Sequence, residues 1–497
     1  MKYLKISRKR RDEFLKKQHP IAILKYISKN FWLLLIPLVR GLFALKFDFY
    51  SWISGAYLDI LVILLILGLA IFRWWNIYYE IQDKGILFHK GLLVSEDFFI
   101  PYRSMSSVTA KRALFFRPLK AVIISVETDS IQGVETQSQA DIKIIINLID
   151  YKILYNKIPI NKGKSTLTYR AHRTQLLLYS LVFSSSLSGL IYFGTFLIQS
   201  GRLVSTELEK IFMGAVNDVT NFAGMVIEGL TPVTVSIIII IGIGWLISFV
   251  TNYLHTLSFC VRRSGKSIFI KSGFFSKWKY YINTERINYA DIRQNLLMKL
   301  CRVMSVQVCC TGYGKSKNEM PVFVPITTKK SVMGVMKLLL PEYEPKDITV
   351  CPKWNYIMRF MGPPTALIFA IIFAAAALVM IFPRWYSVIF FAAVMCEILS
   401  VQLLLVKFVA YYTNGVGLED GVLCLNYCRF YQFHKVVLPV ENITSVEIRQ
   451  TVFQRMNMSC DFVICTRGET TKYHRVRGLD LKEAERAAEK LGYNTNF

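Results

Sequence analysis

Apolar and polar positions along this chain follow two rhythms. Six apolar runs lie near residues 31–47, 57–77, 175–199, 233–254, 357–382 and 386–411. A helix needs about 20 such residues to cross a bilayer. The runs fall in pairs, which predicts membrane hairpins at 31–77, 174–254 and 356–411. The first run is short and carries Arg40; the fourth holds the unbroken isoleucines Ile237 to Ile241. Between the pairs the period drops to two. Ser267 to Ser272 reads as a strand ending at the turn residue Gly273, with Tyr280-Tyr281-Ile282 as the next. Gly421 to Leu425 and Phe462 to Thr466 match them in the last segment. Short strands at this spacing predict an all-β sandwich or open barrel.

The intervening segments 78–173, 255–355 and 412–497 are each of domain size. Leu481, Ala484, Ala488 and Leu491 recur at helical spacing, so the last segment closes with one amphipathic helix. Lys329 to Leu340 is the counterpart in the second. A small β-barrel closed by a C-terminal helix is a pleckstrin-homology-like (PH-like) arrangement. The expected fold is a polytopic α-helical membrane protein, six transmembrane helices in three hairpins, with a PH-like domain after each.

These segments repeat. Pro439-Val440-Glu441-Asn442-Ile443-Thr444-Ser445-Val446-Glu447-Ile448-Arg449-Gln450 has a gapless counterpart from Glu285 to Gln294. A third copy begins at Pro101-Tyr102-Arg103 and has Lys111-Arg112 in place of Arg-Gln. Repeats fix the architecture: one unit was tripled. The two isoleucines of each core, Ile287 and Ile292 or Ile443 and Ile448, are an odd number of residues apart. That demands a bulge or a strand buried on both faces.

Charge sets the expected orientation. The net charge is +26, and residues 1–30 carry ten Lys or Arg against Asp12 and Glu13. By the positive-inside rule both termini and all three domains face the cytoplasm of a multi-pass cell-membrane protein. The loop 200–232 then lies outside. Its capping box, Thr206 to Glu209, opens an amphipathic pattern that predicts a surface helix. The ten cysteines contain no Cys-x-x-Cys and read as buried apolar residues. No nucleophile–base pair, phosphate loop, metal set or cofactor motif stands out, and Gly242-Ile243-Gly244 lies inside a span. The basic residues are spread along membrane-proximal segments, which argues against nucleic acid.

The order of two spans, glycine-turn strands and Pro-x-Glu-x-Ile-x-Ser-Val-x-Ile-x-Gln resembles the bacterial PH-domain membrane proteins. The three-copy layout is that of their large, YdbT-like members. The resemblance implies a non-enzymatic protein partnered by a smaller single-copy PH-domain membrane protein. It also implies a setting in envelope integrity or resistance to membrane-active peptides.

Three groups of residues are candidates for function. Lys111, Arg112, Arg117 and Lys120 are placed to meet the anionic inner leaflet. Glu285, Arg293, Gln294, Glu441, Arg449 and Gln450 stand at matching places in two copies and suit an interface between repeats. Arg40 and Glu397, each in mid-span, have the signs to pair inside the membrane. The expected function is a scaffold whose domains assemble with protein and contact lipid; the alternative is a transporter using the six helices. Transport usually shows several intramembrane polar groups and matched broken helices. Here Pro363-Pro364 interrupt only one span.

Overall fold

A computed structural model describes residues 16–29, 49–91, 95–128, 142–158, 167–184, 213–214, 217–218, 232–310, 313, 322–466 and 472–493. The first unit holds β1 (Lys16–Lys17), α1 (Ala22–Lys29), α2 (Phe49–Trp75), β2 (Ile77–Ile81), β3 (Gly85–Gly91), β4 (Ser95–Pro101), β5 (Met105–Arg112), β6 (Ala121–Thr128), β7 (Ile142–Asn147) and α3 (Leu148–Lys157). The second holds β8 (Leu167–Arg170), α4 (Arg173–Phe183), α5 (Pro232–Thr256), β9 (Cys260–Ser264), β10 (Ser267–Ser272), β11 (Lys277–Asn283), β12 (Ile287–Asn295), α6 (Leu296–Leu300), β13 (Val303–Cys310), β14 (Val322–Thr328) and α7 (Lys329–Leu339). The third holds α8 (Ile357–Ile381), α9 (Tyr386–Thr413), β15 (Gly415–Glu419), β16 (Val422–Arg429), β17 (Gln432–Pro439), β18 (Ile443–Arg449), α10 (Val452–Met456), β19 (Ser459–Thr466), β20 (Lys472–Asp480) and α11 (Leu481–Lys490). Leaving aside β1 and β8, each module runs as three strands, three more and a closing helix.

Local chemistry explains the elements. Asp420 and Gly421, both at positive φ, form the two-residue turn that joins β15 to β16. The odd isoleucine spacing has its bulge: pairing slips between Met105 and Ser107, between Ile287 and Tyr289, and between Ile443 and Ser445. All three slips occur at one place in the repeat. The closing helix α11 buries Ala484, Ala487 and Ala488, the face read from its spacing.

The sheets do not respect module boundaries. Among the described residues there are four antiparallel sheets. The last three strands of module one join the first three of module two in one sheet, ordered β7-β6-β5-β11-β10-β9-β8. Modules two and three are joined the same way, as β14-β13-β12-β17-β16-β15. Half of one PH-like fold is therefore continuous with half of the next. Side chains follow the strands across: Tyr281 of β11 belongs to the core of module one, and Val437 of β17 to that of module two. Burying a large apolar side chain fully is worth roughly 1.5–3 kcal/mol. A further strap precedes the long helices of each unit and pairs with the strand after them. Lys17 meets Tyr78, Tyr169 meets Val261, and Val350 bridges to Val416.

The expected six spans need correction. Among the described residues three helices, not six, are long and apolar enough to cross a membrane: Ile239–Thr256, Trp354–Ile381 and Ala392–Thr413. Among the described residues only the pair formed by α8 and α9 makes a complete hairpin of this kind. The apolar stretch of α2, Ile60–Trp75, is shorter. The run near 175–199 opens instead with α4, which ends at Phe183 and buries Leu176 and Tyr179 in the core of module two. The physical reason is plain: an apolar run says that a surface must leave water, not whether lipid or protein covers it. The run near 31–47, with Arg40, lies outside the described residues, as does nearly all of loop 200–232.

Candidate functional site

Where α8 and α9 meet module three, their ends and β20 enclose a cavity of about 270 Å3. Four cations line it: Arg359 of α8, Lys407 of α9, and Arg475 and Arg477 of β20. The last two are two residues apart on a strand and so share a face. Pro363 and Pro364 lie inside α8 and also line the cavity. Lacking an N–H, they deprive the carbonyls of Arg359 and Phe360 of their usual helical donors. Gly478, at φ +74°, brings β20 close to α8; a Cβ there would meet the Phe360 ring at 3.2 Å.

One buried carboxylate organises two of the cations. Asp461, with no exposed side-chain surface, accepts from Arg359 Nη2 at 2.8 Å and from Arg475 Nη2 at 2.6 Å. Gln454 Nε2 at 2.8 Å and the Gly478 amide at 3.2 Å complete its shell. Among the described residues, Lys407 and Arg477 have no carboxylate partner. Arg477 is exposed overall; partial burial, then the repulsion of Arg475, push its guanidinium below the ordinary arginine value, with Asp461 opposing. It stays charged at neutral pH. Asn414, 3% exposed, lines the same cavity with an unpartnered Oδ1. Leu367 and Leu403 extend the wall along the two helices. The arrangement offers positive charge, one hydrogen-bond acceptor and an apolar flank at the base of a membrane hairpin.

Among the described residues the third module alone has this set. The place of Asp461 in β19 is taken by Ser305 in β13 and by Ile123 in β6.

The residues singled out from the sequence lie elsewhere. Lys111 packs over the Trp278 ring at 4.2 Å, and Arg117 Nη2 donates to the Phe274 carbonyl at 2.5 Å. Both contacts cross from module one to module two. Arg112 donates to the Arg117 carbonyl at 3.1 Å, and Lys120 occupies a turn at φ +50°. Arg293 and Gln294 lie in the joint between modules two and three, opposite His434 and Phe433. Asp291 there accepts from Arg293 Nε at 2.5 Å and pairs with His434 Nδ1 at 3.0 Å. Burial pushes its carboxyl up, but His434 and Arg293 outweigh this and hold it below the usual value. Glu285 pairs with Lys266 inside its own module, and Glu441 is exposed. Arg449 pairs with Glu447 on the half-exposed strand β18. Gln450 donates to the Ser459 carbonyl at 2.8 Å, as Gln294 does to that of Val303 at 2.8 Å, so this glutamine serves the fold. Glu397 lies on α9 with Oε1 unpartnered among the described residues, while Arg40 lies outside them.

The sequence pattern does not single out the cavity. Its signals are the alternation Arg475-Val476-Arg477 and the cations at the module-three ends of one hairpin, which resemble ordinary positive-inside charge until the fold brings them together.

The family model for the bacterial PH domain matches residues 31–150, 212–334 and 365–495. The chain belongs to the bacterial PH domain family, in three copies. It is 20% identical over 357 residues, 66% of this chain and 70% of the relative, to UPF0699 transmembrane protein YdbT of Bacillus subtilis (strain 168). No solved structure matches. This is a membrane protein with three PH domains, similar to YdbT over about two thirds of its length.

Proposed function

We propose that the chain is a non-enzymatic membrane scaffold whose third hairpin holds an anionic phospholipid headgroup. The observation that carries this is the cavity of Arg359, Lys407, Arg475 and Arg477, which faces one organising carboxylate. A phosphate would sit against Lys407 and Arg477, the two cations without a carboxylate, and a headgroup hydroxyl would donate to Asn414 Oδ1. Arginine and lysine both bind phosphate well, arginine with a planar fork. The acyl chains would leave along Leu367 and Leu403. The three modules and their shared sheets then present a cytoplasmic platform to other chains that carry the same module. Envelope integrity and resistance to membrane-active peptides are the setting the family resemblance favours.

The test is lipid identification by native mass spectrometry of the detergent-extracted protein. Anionic phospholipid should remain bound at sub-stoichiometric detergent exchange. Lys407→Gln with Arg477→Gln should lower its occupancy at least tenfold and leave folding intact, since neither residue is in the Asp461 cluster. Competition arms separate the ligands. Vesicles of phosphatidylglycerol should compete, whereas inorganic phosphate and phosphatidylcholine vesicles should not. Unchanged lipid occupancy in the double variant would sink the proposal.

A further inference from the structure

The two joints inside the chain are built alike. By the repeat, Val108, Ala290 and Val446 share one place, and Phe99, Tyr281 and Val437 share another. Val108 lies opposite Tyr281 where β5 meets β11, and Ala290 opposite Val437 where β12 meets β17. The register is therefore the same at both joints.

Two strands of these types stay at sheet edges among the described residues: β18 at the C-terminal end and β4 at the N-terminal end. Their side chains are uncovered at the places that are buried elsewhere. Phe99 is 46% exposed, whereas Tyr281 is 7% and Val437 0%. Val446 is half-buried, whereas Val108 is 3% and Ala290 0% exposed. An uncovered edge is a template for strand addition, which proteins otherwise block or cover.

We infer that β18 pairs antiparallel with β4 of a second copy of this chain, in the register of the two internal joints. Phe99 of one copy then enters module three of the other, opposite Val446, as Tyr281 enters module one. The same register sets position 449 opposite position 96, where the sequence has Arg and Glu, opposite charges of the kind that favour antiparallel pairing. The contact uses different surfaces on the two copies, so it propagates head to tail into a ring or a filament. The membrane-spanning helices, α8 and α9 above all, keep such an assembly in the plane of the membrane. The inference rests on the scaffold reading and names its partner.

The test uses two full-length copies with different tags, co-expressed and oxidised in the native membrane. One carries Val446→Cys and the other Phe99→Cys. A disulfide-linked heterodimer should form well above either single-cysteine control. A second arm reads co-purification of the two tags in detergent. Arg449→Glu alone, or Glu96→Arg alone, should lower it at least tenfold, and the two changes in one chain should restore most of it. Cross-links no stronger than the controls, links formed only within one chain, or an edge filled by a different protein alone would overturn the inference. Bound anionic lipid is measured on the same variants. If the lipid persists while self-association is absent, the pairing is wrong and the scaffold reading stands. Loss of both would count against the two together.

Discussion

The joint between modules one and two and the joint between modules two and three share a backbone register but not a chemistry. At the first, Lys111 covers Trp278, and the Tyr281 hydroxyl meets that of Tyr151 at 3.1 Å inside the core of module one. At the second, the matched places hold Arg293, His434 and Val437, and the buried Asp291 pairs with the first two. Tyr427 stacks on His434 with ring centres 5.0 Å apart and shares a hydrogen bond with His474 at 2.9 Å. One joint is aromatic and the other ionic. Main-chain pairing and the shared bulge therefore specify the connection, and side chains only adjust its strength and its response to conditions. This is why copies with divergent sequences can be joined by one geometry.

The first way to break the comparison is Tyr281→Ala. It removes an aromatic ring from the core of a neighbouring module, a truncation that costs about 3–5 kcal/mol in well-packed cores. Thermal unfolding of the detergent-extracted protein should show the loss. Hydrogen exchange should place it in β5, β6 and β11. Val437→Ala, at the matched place in the other joint, removes fewer atoms and should cost clearly less. Equal losses would mean that the two joints are not equivalent packing sites.

Acid should separate the joints next. The Asp291 carboxyl is held below its ordinary value in the folded protein, with burial opposing and His434 and Arg293 prevailing. A folded value below the unfolded one means the stabilisation is complete above the ordinary carboxylate range. It is lost as pH falls from that range through the depressed value. Protection of β12 and β17 should thus decline below pH about 4 before that of β5 and β11, whose matched residue is Thr109. Asp291→Asn should remove this difference and cost about 1.5–3 kcal/mol at neutral pH, because Arg293 loses the carboxylate it is hydrogen-bonded to. A joint that declines with acid to the same degree in the variant would clear Asp291 of the role.

Much of the module was legible in the sequence. The strand of the repeat, its bulge and the closing helices follow from local spacing, and local spacing is what a single chain displays. Two features were not. Half-sheet exchange is invisible because β11 has the same alternation whether its free side meets β5 or solvent; register between modules is a tertiary choice. The span count was overstated because α4 reads as apolar while serving a protein core. Of the candidate site, the sequence points only to Pro363-Pro364, as an interruption of one span. Arg359 and Arg475 come together through Asp461, which lies 102 and 14 residues away from them in the chain. The interface set was mixed in the same way: Arg293 sits in a joint, Glu285 pairs within its own module, and Arg449 waits on an edge.

The smallest effect expected is at Lys111. Its ammonium sits over Trp278 at 4.2 Å, and cation–π contacts are worth about 0.5–1 kcal/mol at exposed sites and more when desolvated. Lys111→Met keeps the aliphatic stem and removes the charge. If the residue serves the joint, thermal stability should fall by about 0.5–1 kcal/mol with little dependence on salt, and anionic liposomes should bind the full chain unchanged. If it serves the membrane instead, stability should hold and liposome binding should weaken in a salt-dependent way, as screened surface charges do. Lys111→Arg keeps both the charge and the ability to stack, so it should preserve the joint in the first case and the liposome binding in the second. The pair of variants thus decides whether the basic end of β5 belongs to the aromatic joint or to the lipid surface for which its charge first suggested it.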